Sequence, residues 1–152
     1  MALKGDMQPV VDAVELGFFF DSTAERGGIA SISTTGSGIN LDSSLNVAQY
    51  HTTGSGALPL GMLQQDVVNK DLTQTHLDFH KDEVQVGGKV TLYRQGWFTT
   101  DRIIGTPTAG AAAYLAATGH VSPTRTNTGW PQVGSFITPK DSNGYARVWV
   151  NV

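Results

Sequence analysis

The sequence contains no cysteine, which excludes a disulfide framework and a thiolate metal site. It also lacks the apolar run of roughly 20 residues that a transmembrane helix needs. The N-terminus reads MALKGD and has no apolar segment of the kind found in secretory signals. We therefore expect a protein that has no membrane partner and that folds in a cytoplasm.

Charged residues are also scarce, at 15% of the chain, where a quarter or so is usual. The chain has 10 Lys and Arg against 13 Asp and Glu, and its formal net charge is -3. Nucleic-acid binding is driven by phosphate neutralisation and normally needs a basic patch. Because the basic residues here are scattered, we expect no nucleic-acid partner.

Glycine is abundant, with 18 residues in 152. Frequent glycine with many Thr, Ser and Val is typical of short strands joined by tight turns, and it disfavours long helices. The predicted fold is all-β, a compact antiparallel β-barrel or β-sandwich with long Gly/Ser/Thr-rich loops. Residues 14–152 are predicted to form a single β domain. Residues 1–13 are predicted to form an extended N-terminal arm, either frayed or ordered on a neighbouring subunit.

Alternating apolar residues predict the strands. The predicted strands are 14–20, 45–50, 60–68, 75–80, 84–86, 89–94, 97–100, 113–116, 133–138 and 145–152. Turns are predicted at 95–96 and 118–119, and loops at 21–44 and 122–131. The Asn143-Gly144 pair predicts a type I′ hairpin turn before the last strand.

The last strand has the clearest alternation. One set of its side chains is predicted to face the core, namely Ala146, Val148, Val150 and Val152. The other set is predicted to face away, namely Tyr145, Arg147, Trp149 and Asn151. Tyr, Arg and Trp are enriched as anchors of protein interfaces, so this face is a candidate contact surface. Packing against another sheet is the alternative.

The strongest pattern for chemistry is His76-x-Asp78-x-His80, which puts three possible metal ligands on one strand face. The outer histidines would lie roughly 13 Å apart, which is too far for one ion, so a solvated polar face is favoured. Asp82 and Glu83 are adjacent and would point to opposite faces, so they do not predict an acid–base pair. We expect no metal, no cofactor and no enzymatic activity.

A short repeat, TTGSG, occurs at 34–38 and again at 52–56. Two flexible turns are the simpler interpretation, and a pair of loops that dock on one partner is the alternative. Trp97 and Trp149 could stack on a sugar, whereas Trp130, between Gly129 and Pro131, is predicted to anchor a loop.

Several segments of the second half occur in an order that resembles another family. They are GGKVTL at 87–92, QGWF at 95–98, AYL at 113–115 with TGHV at 118–121, VGSF at 133–136 and GYARVWV at 144–150. This succession resembles capsid decoration (cement) proteins of tailed bacteriophages over residues 58–152. The first half shows no such resemblance.

The resemblance implies a non-enzymatic β protein on the outer capsid surface of a virion, made in the host cytoplasm. Its implied partners are the major capsid protein and other copies of itself, with a trimer favoured. The candidate contact residues are Leu3, Met7, Val10, Tyr145, Arg147 and Trp149. The alternatives are a virion fibre or tail module that binds a host glycan, and a metal-dependent hydrolase built on His76, Asp78 and His80.

Overall fold

The structure is a computed structural model that describes residues 8–9, 15–35, 47–70 and 82–152. The predicted strand at 75–80, most of the predicted arm and the start of the predicted domain at residue 14 lie outside the described residues. The two described residues of the arm, Gln8 and Pro9, form a short strand.

The predicted all-β fold is confirmed. The strands are β1 (Gln8–Pro9), β2 (Glu15–Phe20), β3 (Ile29–Ile32), β4 (Val47–Gln49), β5 (Pro59–Leu63), β6 (Asp66–Val68), β7 (Glu83–Gln85), β8 (Lys89–Tyr93), β9 (Gln95–Thr100), β10 (Ala112–Leu115), β11 (Val121–Ser122), β12 (Gln132–Phe136) and β13 (Ala146–Asn151). A 3₁₀ turn, Ala117–Gly119, joins β10 to β11.

Five strands close into a barrel in the order β2-β4-β3-β5-β8. Strands β2 and β4 run parallel, and the other pairs that involve β3, β5 and β8 are antiparallel. Phe18 and Phe20 of β2 are buried with Leu63 and Leu92 in the barrel core, as the alternation in β2 predicts. Strands β6 and β7 form a separate parallel pair, and Val67 of β6 joins this core.

The remaining six strands form one sheet in the order β1-β9-β13-β12-β10-β11. Its inner face carries Phe98, Val133, Phe136, Val148 and Val150, all of them at most 1% exposed. The barrel residues Ile29 and Met62 belong to the same apolar cluster, so the sheet packs against the barrel. The predicted inward set on β13 is confirmed: Ala146, Val148 and Val150 are buried and Val152 is partly buried against the cluster.

One predicted strand, one predicted turn and one predicted loop are wrong. The segment 60–68 is two strands, because the chain leaves the barrel at Gln64 and Gln65 and β6 then pairs with β7. The expected turn at 95–96 is instead the start of β9. At Arg94 the chain passes from β8 of the barrel to β9 of the six-stranded sheet, so these two strands do not pair as a hairpin. The predicted loop at 21–44 contains β3, whose Ile29 and Ala30 are fully buried.

The turn before β13 is not type I′. That turn needs a positive φ at both central residues, but Gly144 (φ 86°) has one and Asn143 does not. The Asp141 carboxylate explains the difference, because its Oδ1 accepts hydrogen bonds from the backbone N–H of Asn143 and of Tyr145, each at 2.9 Å. The carbonyl of Asp141 also accepts from the N–H of Gly144 at 3.1 Å. The loop is therefore a three-residue hairpin in which the glycine alone is left-handed.

Tyr50 joins the barrel to the six-stranded sheet. Its hydroxyl donates to the carbonyl of Glu25 at 2.6 Å and accepts from the N–H of Gly28 at 3.1 Å. A Cβ added at Gly28 or at Gly119 would lie 2.8 or 2.6 Å from Tyr50 atoms, so only glycine fits on either side of the ring. The guanidinium of Arg102 lies 5.3 Å from the ring centroid. Burial raises the pKa of the Tyr50 phenol well above its ordinary value of 10.0.

The second TTGSG segment is held by contacts within the chain. Trp130 donates its indole N–H to the carbonyl of Thr53 at 3.0 Å, and Gly56 donates its backbone N–H to Gly129 at 3.1 Å. A Cβ added at Gly54 would lie 2.7 Å from the backbone of Leu115. The prediction that Trp130 anchors a loop is confirmed. The TTGSG segment at 52–56 is part of the contact between the barrel and the sheet.

Candidate protein-contact surface

The candidate surface is the outer face of the six-stranded sheet around β13. We call it the outer sheet face and define it by Trp97, Thr99, Ser135, Arg147 and Trp149. The strand register brings these side chains together, because Arg147 lies opposite Thr99, and Trp149 lies between Trp97 and Ser135. Side chains that alternate along a strand share one face, so the period-two pattern of β13 produces this surface directly.

Arg147 and Trp97 form the centre of the outer sheet face. The guanidinium carbon of Arg147 lies 4.1 Å from the centroid of the Trp97 ring. The two residues are diagonal neighbours on adjacent strands, which is within reach of long and aromatic side chains. A cation over an indole face is worth about 0.5–1 kcal/mol at an exposed site and more where it is desolvated. The stacking holds a positive charge on the sheet surface and covers one face of Trp97.

Trp149 is half-buried and lies beside this pair. Its neighbour on the β12 side is Ser135, which is small and leaves the indole without a bulky cross-strand partner there. Tryptophan and arginine are enriched among the residues that dominate the binding energy of protein interfaces, so Trp149 beside Arg147 is a candidate anchor.

A second aromatic residue with a cation lies on β10. The guanidinium of Arg125 lies 5.9 Å from the Tyr114 ring centroid. Arg125 also donates from Nε to the carbonyl of Trp130 at 3.1 Å and from its terminal nitrogen to the carbonyl of Thr128. These contacts order the 122–131 loop against the sheet and continue the aromatic and cationic character of the surface to β10.

A cavity of about 410 Å³ lies beside the first residues of β13, at the edge of the outer sheet face. The polar side chains that line it are Thr99, Thr138, Lys140, Asp141, Tyr145 and Arg147. The Asp141 hairpin places Tyr145 here, before the first residue of β13. Thr138 accepts the backbone N–H of Arg147 at 2.9 Å, and Lys140 donates to the carbonyl of Ile103 at 2.8 Å.

Two adjacent acidic residues near β6 and β7 form ion pairs with different cations. Asp82 pairs with Arg26 at 3.0 Å, whereas Glu83 pairs with Lys70 at 3.7 Å. Each carboxylate therefore pairs with a different cation, and the absence of an acid–base pair stays a prediction. A cavity of about 300 Å³ lies beside Glu83 and is lined by Asp66 and by residues 23–25.

Of the predicted contact residues, Arg147 and Trp149 lie on the outer sheet face, and Tyr145 lies at the cavity beside it. Leu3, Met7 and Val10 lie outside the residues whose side chains the structure describes. So does the predicted metal set of His76, Asp78 and His80. In the described ranges, no three His, Asp or Glu side chains are grouped as metal ligands would be.

Sequence reasoning missed Thr99, Thr138 and Lys140 as parts of the site. Thr99 lies in a correctly predicted strand, but its position opposite Arg147 depends on a pairing between strands that are distant in sequence. Lys140 precedes the hairpin, and a Pro-Lys-Asp segment reads as an ordinary turn.

Comparison with known proteins gives no assignment: no family model matches the chain, and no match was found among curated proteins. Among the residues that the structure describes, no helix has the length and apolarity needed to span a membrane.

Proposed function

We propose that the protein is a capsid decoration protein of a tailed bacteriophage, which binds the outer surface of the shell and stabilises it without catalysing a reaction. The observation that carries this proposal is the outer sheet face, where Trp149 lies between the Arg147–Trp97 stack and the small Ser135. The order of segments in residues 58–152, which resembles the decoration family, supports it as well.

The sheet gives this surface a rigid base. Behind Arg147 and Trp149, the inward residues Val148 and Val150 are fully buried, so the outer side chains project from a packed layer. A rigid anchor loses little conformational entropy when it binds. The partner proposed for this surface is the major capsid protein.

Weak contacts are sufficient for a decoration protein because the shell repeats its binding sites. Linking several copies makes each further binding event intramolecular and can raise the overall affinity by about 10²–10⁴-fold. We propose that the protein acts as a homo-oligomer, with a trimer favoured. Light scattering on the purified protein tests this part, and a monomer at all accessible concentrations would contradict it.

The test of function uses heads that lack the protein. Purified protein is added to undecorated heads, and the bound fraction and the rupture temperature of the heads are measured. We expect saturable binding and a higher rupture temperature. Trp149→Ala is expected to weaken binding by at least tenfold, since truncation of an interface anchor costs about 2 kcal/mol or more.

Leu58→Ala is the matched control, because Leu58 is a large apolar side chain with 60% exposure that precedes β5 of the barrel. Equal loss with both variants would contradict a specific role for the outer sheet face. Circular dichroism of each variant checks that it is folded.

A glycan-binding virion module is the second candidate, and Trp149 is the residue that would stack on a sugar. Arg147 already covers one face of Trp97, which leaves that ring less suited to stacking. A glycan array separates the two functions. Binding to a defined glycan that is lost in Trp149→Ala, without binding to heads, would favour the second candidate.

A further inference from the structure

We propose that the cavity beside the outer sheet face is a binding site for a single carboxylate group. The inference goes beyond the proposed function, because the site would exist whether or not the protein binds a capsid. It rests on one buried hydroxyl, on the two cations that line the cavity and on the way in which the neighbouring acid is held.

The buried hydroxyl belongs to Thr99. The residue is 8% exposed, and its Oγ1 has no hydrogen-bond partner among the described residues. An unsatisfied hydroxyl inside a protein destabilises the fold, so such groups are rare unless they serve a purpose. Thr99 lines the cavity, where an acceptor oxygen of a ligand would satisfy its O–H.

Lys140 supplies a fixed positive charge. Its Nζ donates to the carbonyl of Ile103 at 2.8 Å, which holds the ammonium in place and leaves two N–H donors for a ligand. Thr138 is similarly ordered: its Oγ1 accepts the N–H of Arg147 at 2.9 Å, and its own proton is available for donation. Lys140, Thr138 and Thr99 therefore provide ammonium and hydroxyl donors to one cavity of about 410 Å³.

The charged residues of the lining favour an anionic ligand. Lys140 and Arg147 contribute two positive charges to the lining, and Asp141 contributes one negative charge. The Oδ1 of Asp141 is occupied by the two N–H groups of its own hairpin. Among the described residues of the lining, the cations outnumber the anions, so an anionic group such as a carboxylate is favoured there.

The carboxylate could come from a free acid or from an acidic side chain of another protein, and two probes distinguish these sources. The first is acetate, and the second is N-acetyl-glutamate N-methylamide, whose only charge is on the side chain. Each is titrated into ¹⁵N-labelled protein, and the amide shifts of Thr99, Thr138 and Lys140 are followed. We expect saturable shifts with a Kd on the order of 1 mM for the better probe.

Tighter binding of the blocked glutamate assigns the site to a protein side chain, and tighter binding of acetate assigns it to a free acid. Acetamide is the neutral control and should cause no saturable shift. Equal shifts with acetamide, or no saturation with either carboxylate, would overturn the proposal.

Two variants test the roles of the lining residues. Lys140→Gln should weaken carboxylate binding at least tenfold, whereas Lys70→Gln, which changes a lysine paired with Glu83 on β7, should leave it unchanged. Thr99→Val should weaken binding and at the same time raise the melting temperature of the free protein, because it removes an unsatisfied hydroxyl. A Thr99→Val protein that melts at a lower temperature and binds the carboxylate normally would contradict the role of Thr99.

Discussion

The replacement Tyr50→Phe tests the junction between the barrel and the sheet. It removes one hydroxyl and leaves the ring, so the packing against Gly28 and Gly119 is retained. Two hydrogen bonds are lost, one to the carbonyl of Glu25 at 2.6 Å and one from the N–H of Gly28 at 3.1 Å. Gly28 is buried, and its N–H would lose its partner.

The expected cost follows from these contacts. An unpaired buried backbone group such as the N–H of Gly28 costs about 1–3 kcal/mol. The bond to the carbonyl of Glu25 adds less, because Glu25 is exposed. We therefore expect Tyr50→Phe to lower the free energy of unfolding at neutral pH by about 2 kcal/mol. Urea unfolding followed by tryptophan fluorescence and by circular dichroism measures this value.

The pH dependence gives a sharper test. Because the pKa of Tyr50 is raised in the folded state, the folded protein keeps the phenolic proton at pH values where the unfolded chain has lost it. The stabilisation by Tyr50 is therefore complete below pH 10, the pKa of an unfolded tyrosine, and is lost as the pH rises above that value. One proton corresponds to a loss of about 1.4 kcal/mol per pH unit.

Tyr50→Phe should lack this component, so the stability difference between the two proteins should shrink above pH 10. Other tyrosines and the lysines titrate in both proteins and cancel in the comparison. A difference that stays constant up to pH 11.5 or so would refute the assignment of a buried, protonated Tyr50.

Three further predictions concern the sheet and its loop. Gly134→Ala would drive a Cβ into the carbonyl oxygen of Trp149, so we expect a loss of at least about 3 kcal/mol in urea unfolding. A loss below about 1 kcal/mol would contradict the β12–β13 register. Phe98→Ala removes a fully buried ring and should lower the free energy of unfolding by about 3–5 kcal/mol in the same assay. A near-neutral effect would argue against a common core of the sheet and the barrel. Trp130→Phe loses the indole hydrogen bond to the carbonyl of Thr53, so it should lower the free energy of unfolding by about 1 kcal/mol. It should also speed proteolytic cleavage in the 122–131 loop, and unchanged cleavage would show that the bond does not order the loop.

Local patterns predicted the parts of the fold that depend on neighbouring residues. The alternation of Ala146, Val148 and Val150 identified the inner face of β13, and the same pattern identified Arg147 and Trp149 as outer residues. The predicted strand at 113–116 and its return near Val121 are also confirmed, with Leu115 opposite Val121. Glycine-punctuated strands were sufficient to predict an all-β protein.

The parts that depend on distant pairings were not predicted. Strand β3 lies in a segment rich in Gly and Ser, and only its burial between β4 and β5 makes Ile29 and Ala30 a strand. The passage at Arg94 reads like a hairpin turn in sequence, because nothing local shows that β8 and β9 belong to different sheets.

The candidate site was predicted in part for the same reason. Arg147 and Trp149 lie on one strand and could be found from its period. Thr99 and Lys140 meet Arg147 at the cavity only through the β9–β13 pairing and the Asp141 hairpin. The carboxylate of Asp141, which turned the expected type I′ hairpin into a different loop, also helps to shape that cavity.

Electron cryomicroscopy of phage heads that lack the protein, imaged before and after its addition, tests the central claim most directly. We predict new density at regular positions on the outer surface of the shell, with the outer sheet face and Trp149 turned toward the capsid subunits. Heads that stay bare at saturating protein, or density that contacts the shell only through the barrel, would contradict the account.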